Sequence, residues 1–299
     1  MTVHHALAPE LPLLHRLVLG WYAGSARALP WRAAGTSPWG VFLSEVMAQQ
    51  TPVARVEPVW REWVRRWPSP PALAGAAPGE AVRAWGRLGY PRRALRLHEA
   101  ATEMVRAHDG AVPGTVAELL ALPGVGRYTA AAVACFAFGV PTTVVDTNVR
   151  RVLTRVLVAG GRPAPVLTPA ETRLAAAALP ADPEDANTWN VAVMELGALV
   201  CTARSPRCGD CPVRHLCAWN RAGRPAYEGP LRRAQAWEGT DRQARGALLA
   251  VLRAADGAVT LAALTRAWTD ESQRSRCLGT LVADGLVEPL PPDHFRLPG

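Results

Sequence analysis

Leu13, Leu17, Leu19 and Trp21 recur at helical spacing over residues 9–27 and predict an amphipathic helix that ends before Leu29-Pro30-Trp31-Arg32. The turn formers of AAGTSPWG follow. Apolar positions then resume from Trp39 to Gln50 and from Val53 to Trp67, where Pro68, Pro70 and Pro71 close the run. Further helical patterns cover 79–88, 93–108, 148–158, 168–179 and 187–201. In the middle of the chain, two apolar helical runs flank Leu122-Pro123-Gly124-Val125-Gly126, and a short β-branched stretch leads from the second run to Asp146. The pattern predicts an all-α protein.

Residues 223–240, with Pro225, Pro230 and many charges, read as a linker. Beyond it, helical runs at 242–255, 260–268 and 271–284 precede Gly285 and two short extended pieces, 286–288 and 294–297. Three helices followed by a small hairpin resemble a winged-helix module over 241–299.

At 299 residues and 49% hydrophobic content the chain can bury a substantial core and has the length of two or more domains. No run of eighteen apolar residues occurs, and MTVHHALAPE lacks a charged region followed by a hydrophobic core. A cytosolic protein without a membrane span is expected, and in such a compartment six cysteines read as metal ligands or core residues before disulfides. The net charge of +8 favours a polyanionic partner. All 33 of the Lys+Arg total are arginine. Any chemistry that needs a lysine amine is therefore excluded, apart from the N-terminal amine.

Pro123 cannot continue a helix, and Gly124 and Gly126 permit the backbone angles of a tight interhelical turn. A helix that restarts there points free N–H groups forward, which suits a phosphate, although an ordinary helical corner has the same pattern. Glu45, between Leu43, Val46 and Met47, is either on a solvated helix face or partly buried; burial would raise its pKa and let it act as an acid. Leu88-Gly89-Tyr90, with arginines on both sides, suits a loop lying against a nucleic-acid backbone, with Tyr90 stacking on bases or packed within the turn. Cys201, Cys208, Cys211 and Cys217 are spaced C-x6-C-x2-C-x5-C. Four thiolates also suit zinc, but zinc ribbons pair two close-set CxxC units and this run has one. Cys135 and Cys277 lie in apolar helical contexts and read as core.

Taken together, SEVMAQQT, GLGY in the form RLGYP, LPGVG, Asp146 and the cysteine run resemble the helix-hairpin-helix DNA glycosylases related to endonuclease III, and within them the MutY-type adenine glycosylases in a short form. The resemblance covers about residues 9–222. It implies two helical subdomains, a six-helix barrel over about 33–145 and an iron–sulfur subdomain from 1–32 and 146–222, with Cys201, Cys208, Cys211 and Cys217 holding a [4Fe–4S] cluster. By resemblance Glu45 protonates adenine and later activates water, Asp146 stabilises the sugar cation, and Tyr128 and Asn148 support them. Arg32 and Glu195 match positions lining the adenine pocket. Gln49, Gln50, Thr51, Leu88 and Tyr90 match those that fill the gap left by the flipped base and contact the opposite base. The hairpin from Leu122 through Gly124, Val125 and Gly126 grips the backbone. The implied partner is double-stranded DNA carrying adenine opposite 8-oxoguanine or guanine, met by a monomer that is cytoplasmic and nucleoid-associated through DNA. The family's larger Nudix-like domain does not fit into sixty residues.

Three other readings compete. A bifunctional endonuclease III-type enzyme needs a lysine in the hairpin, where this chain has Tyr128. A thymine or uracil mismatch glycosylase shares the hairpin, Asp146 and the cluster, but a pyrimidine leaves as a stabilised anion and has no need of Glu45. An iron–sulfur, winged-helix DNA-binding regulator would have no use for both carboxylates.

Overall fold

The computed structural model describes residues 10–227, 229 and 237–299. Of the linker expected at 223–240, residues 228 and 230–236 lie outside them. Among the described residues no helix is long and apolar enough to cross a membrane. The chain divides into two compact units that interleave in sequence: one holds 1–33, 114–119 and 126–231, the other 34–113, 120–125 and 232–299.

The first unit begins with α1 (Leu11–Ser25), which buries Leu14 and Val18. Its central pair is α9 (Thr147–Val158) and α11 (Pro183–Leu199), whose Val149, Val152, Leu153, Val156, Trp189, Val193 and Leu196 form one core with α1. The start of α11 lies four residues before the predicted one. Asp182 caps it, accepting from the N–H groups of Glu184 and Asp185, and Pro183 occupies the first turn, where no N–H is needed. The β-branched stretch before Asp146 is extended but joins no sheet. The buried Asn190 side chain takes a sheet partner's place: it accepts from Val144 N–H at 3.1 Å and donates to Thr142 C=O at 2.8 Å. Helix α10 (Pro169–Ala177) opens with a capping box between Thr168 and Glu171.

In the second unit, α2 (Pro38–Met47) is capped by Ser37 and buries nearly every residue. Helix α3 (Val53–Arg66) turns Val56, Trp60 and Trp63 inward. Trp63 meets the rings of Trp67 and Trp85 edge-on at 4.9 and 5.6 Å, and the indole N–H groups of Trp39 and Trp60 donate to Trp67 and Gly40 carbonyls. Pro70 and Pro71, expected only to end a helix, start the short α4 (Pro70–Ala74). Helices α5 (Pro78–Trp85) and α6 (Arg92–Ala107) then bracket the turn containing Leu88-Gly89-Tyr90.

The hairpin helices are α7 (Val116–Ala121) and α8 (Arg127–Phe138). After the cluster loop and α12 (Ala218–Arg221), the C-terminal segment folds as α13 (Asp241–Ala254), β1 (Val259–Thr260), α14 (Leu261–Ala267), α15 (Glu271–Ala283), β2 (Glu288–Leu290) and β3 (His294–Arg296). The strands form an antiparallel sheet in the order β1-β3-β2, with Val259 and Pro289 both opposite Phe295. This is winged-helix topology. The sequence pattern missed β1, because two residues are too few to show alternation.

The cap at Asp182 is solvent-exposed, so its loss touches nothing else. Asp182→Ala should lower stability by about 1 kcal/mol without altering the cluster's absorbance, as measured by denaturant unfolding.

Candidate active site and cluster loop

Asp146 caps α9. Its Oδ1 accepts from Val149 N–H at 2.6 Å, and its Oδ2 accepts from the Asn148 amide at 2.7 Å. Burial pushes its carboxyl above the ordinary range, against those hydrogen bonds and the charge of Arg151. Asn148 is held in turn: its Oδ1 accepts from Arg151 at 2.7 Å, which fixes which end of the amide faces Asp146. Arg151 also donates to Gly197 C=O and Cys201 C=O, both at 2.7 Å. At Gly197, an added Cβ would stand 2.6 Å from Asn148 Cβ, so only glycine lets α11 approach this closely. Sequence reasoning marked Arg151 only as one of the residues following Asp146 and gave it no role, although its place three residues after Asn148 on the same helix face was a usable signal.

Glu195 is fully buried and both of its oxygens are taken. Arg27 donates to them at 2.6 and 2.7 Å and Arg32 at 3.1 Å. Burial works to raise this carboxyl; the bonds from Arg27 and the charge of Arg32 outweigh it and hold the group down at about 2. Arg32 Nη1 is buried with no partner among the described residues, which leaves one donor of this pair available to a ligand. Arg27 was not anticipated, since nothing in its sequence context marks it.

Glu45 sits half-buried on α2 between the buried Ser44 and Val46. The same unit brings together Gln49, Gln50, Thr51, Leu88 and Tyr90. Thr51 Oγ1 donates to Leu88 C=O at 3.3 Å, and the Tyr90 hydroxyl donates to Gln50 Oε1 at 3.0 Å. Gln50 and Tyr90 both have left-handed backbones, with φ of 54° and 49°, a strained conformation for side chains of that size. Tyr90 is 52% exposed. Arg93, one of the arginines beside the loop that the sequence aimed at a nucleic-acid backbone, instead secures the two loops: its Nη1 donates to Val46, Met47 and Gln49 carbonyls, and its Nη2 to Thr51 Oγ1 and Gly89 C=O. Its guanidinium lies over the Trp85 and Tyr90 rings, and burial lowers its pKa to about 10. A lysine could not meet that many acceptors from one planar fork.

In the hairpin turn Leu122 is buried while Gly124 and Gly126 are exposed. Gly124 has φ of 75°, and a Cβ there would meet Arg96 at 2.7 Å. Gly126 is the N-cap of α8, and its C=O starts the helix by accepting from Ala130. Tyr128, in the first turn of α8, packs on the cluster of Ala131, Ala132, Cys135 and Val144.

Cys201, Cys208, Cys211 and Cys217 line one pocket with Val152, Val156, Leu196 and Arg155. No three His, Cys, Asp or Glu side chains among the described residues close on a point where a single metal ion would fit. Burial raises Cys217 and pushes Cys211 up to about 11, so these thiols ionise only when a metal group takes their protons. Arg155 completes the bowl: it donates to Cys201 Sγ at 3.3 Å and to Thr202 C=O at 2.8 Å, while lying over the Trp219 ring. None of the six cysteines forms a disulfide.

A capped carboxylate, a glycine hairpin and a four-thiol bowl define a helix-hairpin-helix DNA glycosylase with an iron–sulfur cluster. Residues 43–176 match the HhH-GPD superfamily of base excision DNA repair proteins, and residues 201–217 match the iron–sulfur binding domain of endonuclease III. An adenine DNA glycosylase from Mycobacterium tuberculosis is 53% identical over 94% of this chain and 92% of its own length. The human adenine DNA glycosylase is 43% identical over 70% of this chain and 39% of its own length. A thermostable thymine-DNA glycosylase structure superposes with a TM-score of 0.65 at 25% identity, over 73% of this chain and 99% of that one. This chain belongs to the adenine DNA glycosylase family, and its cofactor is a [4Fe–4S] cluster held by Cys201, Cys208, Cys211 and Cys217.

Because the folded-state pKa of Glu195 is depressed, its pairing stabilises the fold above the ordinary carboxylate value of 4.5 and is lost as pH falls towards about 2. Glu195→Gln should cost about 3 kcal/mol at neutral pH and flatten stability across that acid window, as read by urea unfolding at several pH values.

Proposed function

We propose that the chain is a monofunctional adenine DNA glycosylase of base excision repair, which removes adenine opposite 8-oxoguanine or guanine and leaves an abasic site. The observation that carries this reading is that the chain holds both a half-buried acid, Glu45 in SEVMAQQT, and a desolvated, hydrogen-bonded carboxylate at Asp146, one in each unit. Expelling adenine requires protonation of a poor leaving group and stabilisation of positive charge on the sugar, and two carboxylates with opposite protonation states supply both. Glu45 protonates adenine at N7 and then activates water. Asp146 stays ionised, held by Val149 N–H and Asn148, and faces the sugar. Tyr128 supports the proton traffic. Arg32, with its uncommitted buried donor, reads the extruded adenine, and Glu195 keeps that guanidinium in place. Tyr90 and Gln50 enter the duplex; Gln49, Thr51 and Leu88 shape the loops that carry them.

The glycine hairpin from Leu122 to Gly126 binds backbone phosphate through amides at the start of α8. The cluster acts as a cross-link that orders the loop carrying Arg204, Arg207 and Arg214, and no step of the reaction passes through it. With no lysine in the chain and Tyr128 in the hairpin, only the N-terminal amine could form a Schiff base with the sugar, and strand cleavage by elimination is slow or absent. The protein works as a monomer on chromosomal DNA, with a barrel over about 33–145, an iron–sulfur subdomain from 1–32 and 146–222, a linker at 223–240 and a winged-helix-like module over 241–299. The superposition with a thymine-DNA glycosylase favours one second reading, excision of thymine or uracil opposite guanine. Glu45 has no task in that reaction.

Asp146→Asn keeps an N-cap of nearly equal quality and cannot ionise. The raised pKa means that the charge of Asp146 costs stability once pH rises above the ordinary carboxylate range, so the variant should melt no lower than the parent at neutral pH. It should bind mispaired duplex with unchanged affinity yet lose at least about a thousandfold in single-turnover excision. Loss of binding together with activity would show that Asp146 serves the fold. In the parent, excision should fall as pH drops through the raised pKa. Borohydride should trap no protein–DNA adduct.

A further inference from the structure

The role of residues 241–299 is open, and their charge excludes the obvious one. Seven arginines and seven acidic residues lie in this segment, so the chain's entire excess of eight positive charges lies in residues 1–240. A winged helix that reads DNA lays its third helix in the groove and presents basic side chains to phosphate. Here that helix, α15, has its basic groups committed. Arg274 is buried and donates to the carbonyls of Trp268 and Thr269, and Arg276 is bound to Asp241 at 2.8 and 3.1 Å. Its first turn carries Glu271, at the end that would meet phosphate.

What the module does hold is the pair of helices around the Tyr90 loop. Two arginines exchange backbone acceptors across the junction: Arg83 of α5 donates to the carbonyls of Arg253 and Ala255, the latter at 2.6 Å, and Arg253 of α13 donates back to Val82 C=O at 2.9 Å. Burial lowers the Arg253 pKa to about 10. At the chain end, Gly79 N–H donates to Pro298 C=O at 2.8 Å, and a Cβ on Gly79 would stand 2.5 Å from that oxygen. On the α6 side, Asp284, at the end of α15, is shared between Arg92 of α6 at 3.3 Å and Arg245 of α13 at 2.5 Å, and a Cβ on Gly285 would stand 3.8 Å from Leu95. Arg92 is two residues from Tyr90. Between α5 and α6 the chain has only six residues to place Tyr90 at a left-handed φ, with Trp85 holding Gly89 C=O at 2.9 Å. A shift of one helix against the other would therefore move the tyrosine directly.

We propose that the C-terminal winged-helix module is a brace for the duplex-entering loop: by clasping α5 through Arg83, Arg253 and Gly79, and α6 through Asp284, it fixes the position of Tyr90, and it makes no contact with DNA. The proposal rests on the reading of Tyr90 as the residue that enters the duplex. Arg83, Arg253 and Asp284 are positioning residues.

The test is a double-mutant cycle in the full-length, cluster-containing protein, with Arg253→Gln and Tyr90→Ala alone and together, read by single-turnover excision of adenine opposite 8-oxoguanine. Arg253→Gln should slow excision about tenfold, and less than about twofold when Tyr90 is already alanine, because one residue acts through the other. Equal slowing in both backgrounds would show a general effect on the fold and overturn the brace. An unchanged rate in Arg253→Gln beside a slow Tyr90→Ala would overturn the brace alone. An unaffected Tyr90→Ala would remove the duplex-entering role first, and the proposal with it. Should Arg253→Gln not fold, Gly79→Ala, which displaces only the chain end, takes its place in the cycle. In parallel, Arg242→Gln/Arg266→Gln on the module's exposed surface should leave binding to undamaged duplex and its salt dependence unchanged. A shallower salt slope would show that the module touches phosphate and would overturn its exclusion from DNA.

Discussion

The structure turns on Asp146 being two things at once, the N-cap of α9 and a desolvated carboxylate. Capping fixes it to within one rotamer and supplies a backbone N–H to one oxygen, while Asn148 supplies the other. Those bonds favour the anion and burial opposes it, and the net effect is a carboxyl raised above its ordinary value. The same helix carries Arg151 and Arg155 one turn apart. Arg151 reaches from Asn148 to the backbone of Cys201, and Arg155 reaches the Cys201 sulfur, so the loop that closes around the cluster and the capping carboxylate of Asp146 share one scaffold.

The second unit solves a related problem with different means. Gln50 and Tyr90 are held in backbone conformations their side chains resist, and the cost is met by Arg93, whose planar fork collects carbonyls from the end of α2 and from the Gly89 turn. In a chain where every cation is arginine, guanidinium groups take over structural tasks: Arg93 beneath the loops, Arg27 and Arg32 on Glu195, and Arg83 and Arg253 at the C-terminal module.

The helices were legible in the sequence because their apolar spacing is strong, and their ends shifted wherever a cap outranked periodicity, as at Ser37-Pro38 and Asp182-Pro183. The cysteine run was legible because its spacing is nearly unique. Glu45, Tyr90 and Asp146 could be found only inside motifs, since no single carboxylate or tyrosine differs from a surface one in composition. The roles that stayed hidden, those of Asn190, Arg93, Arg27 and Arg151, are played on backbone groups or on partners up to 168 positions away. Contacts of that kind leave no local pattern. Likewise β1 of the C-terminal module exists only through its pairing with β3.

The most direct measurement is single-turnover excision on duplexes carrying adenine opposite 8-oxoguanine, adenine opposite guanine, and thymine or uracil opposite guanine, each analysed with and without alkali. The account predicts breaks at adenine alone, and only after alkali. Excision of thymine or uracil, or breaks without alkali, would contradict it.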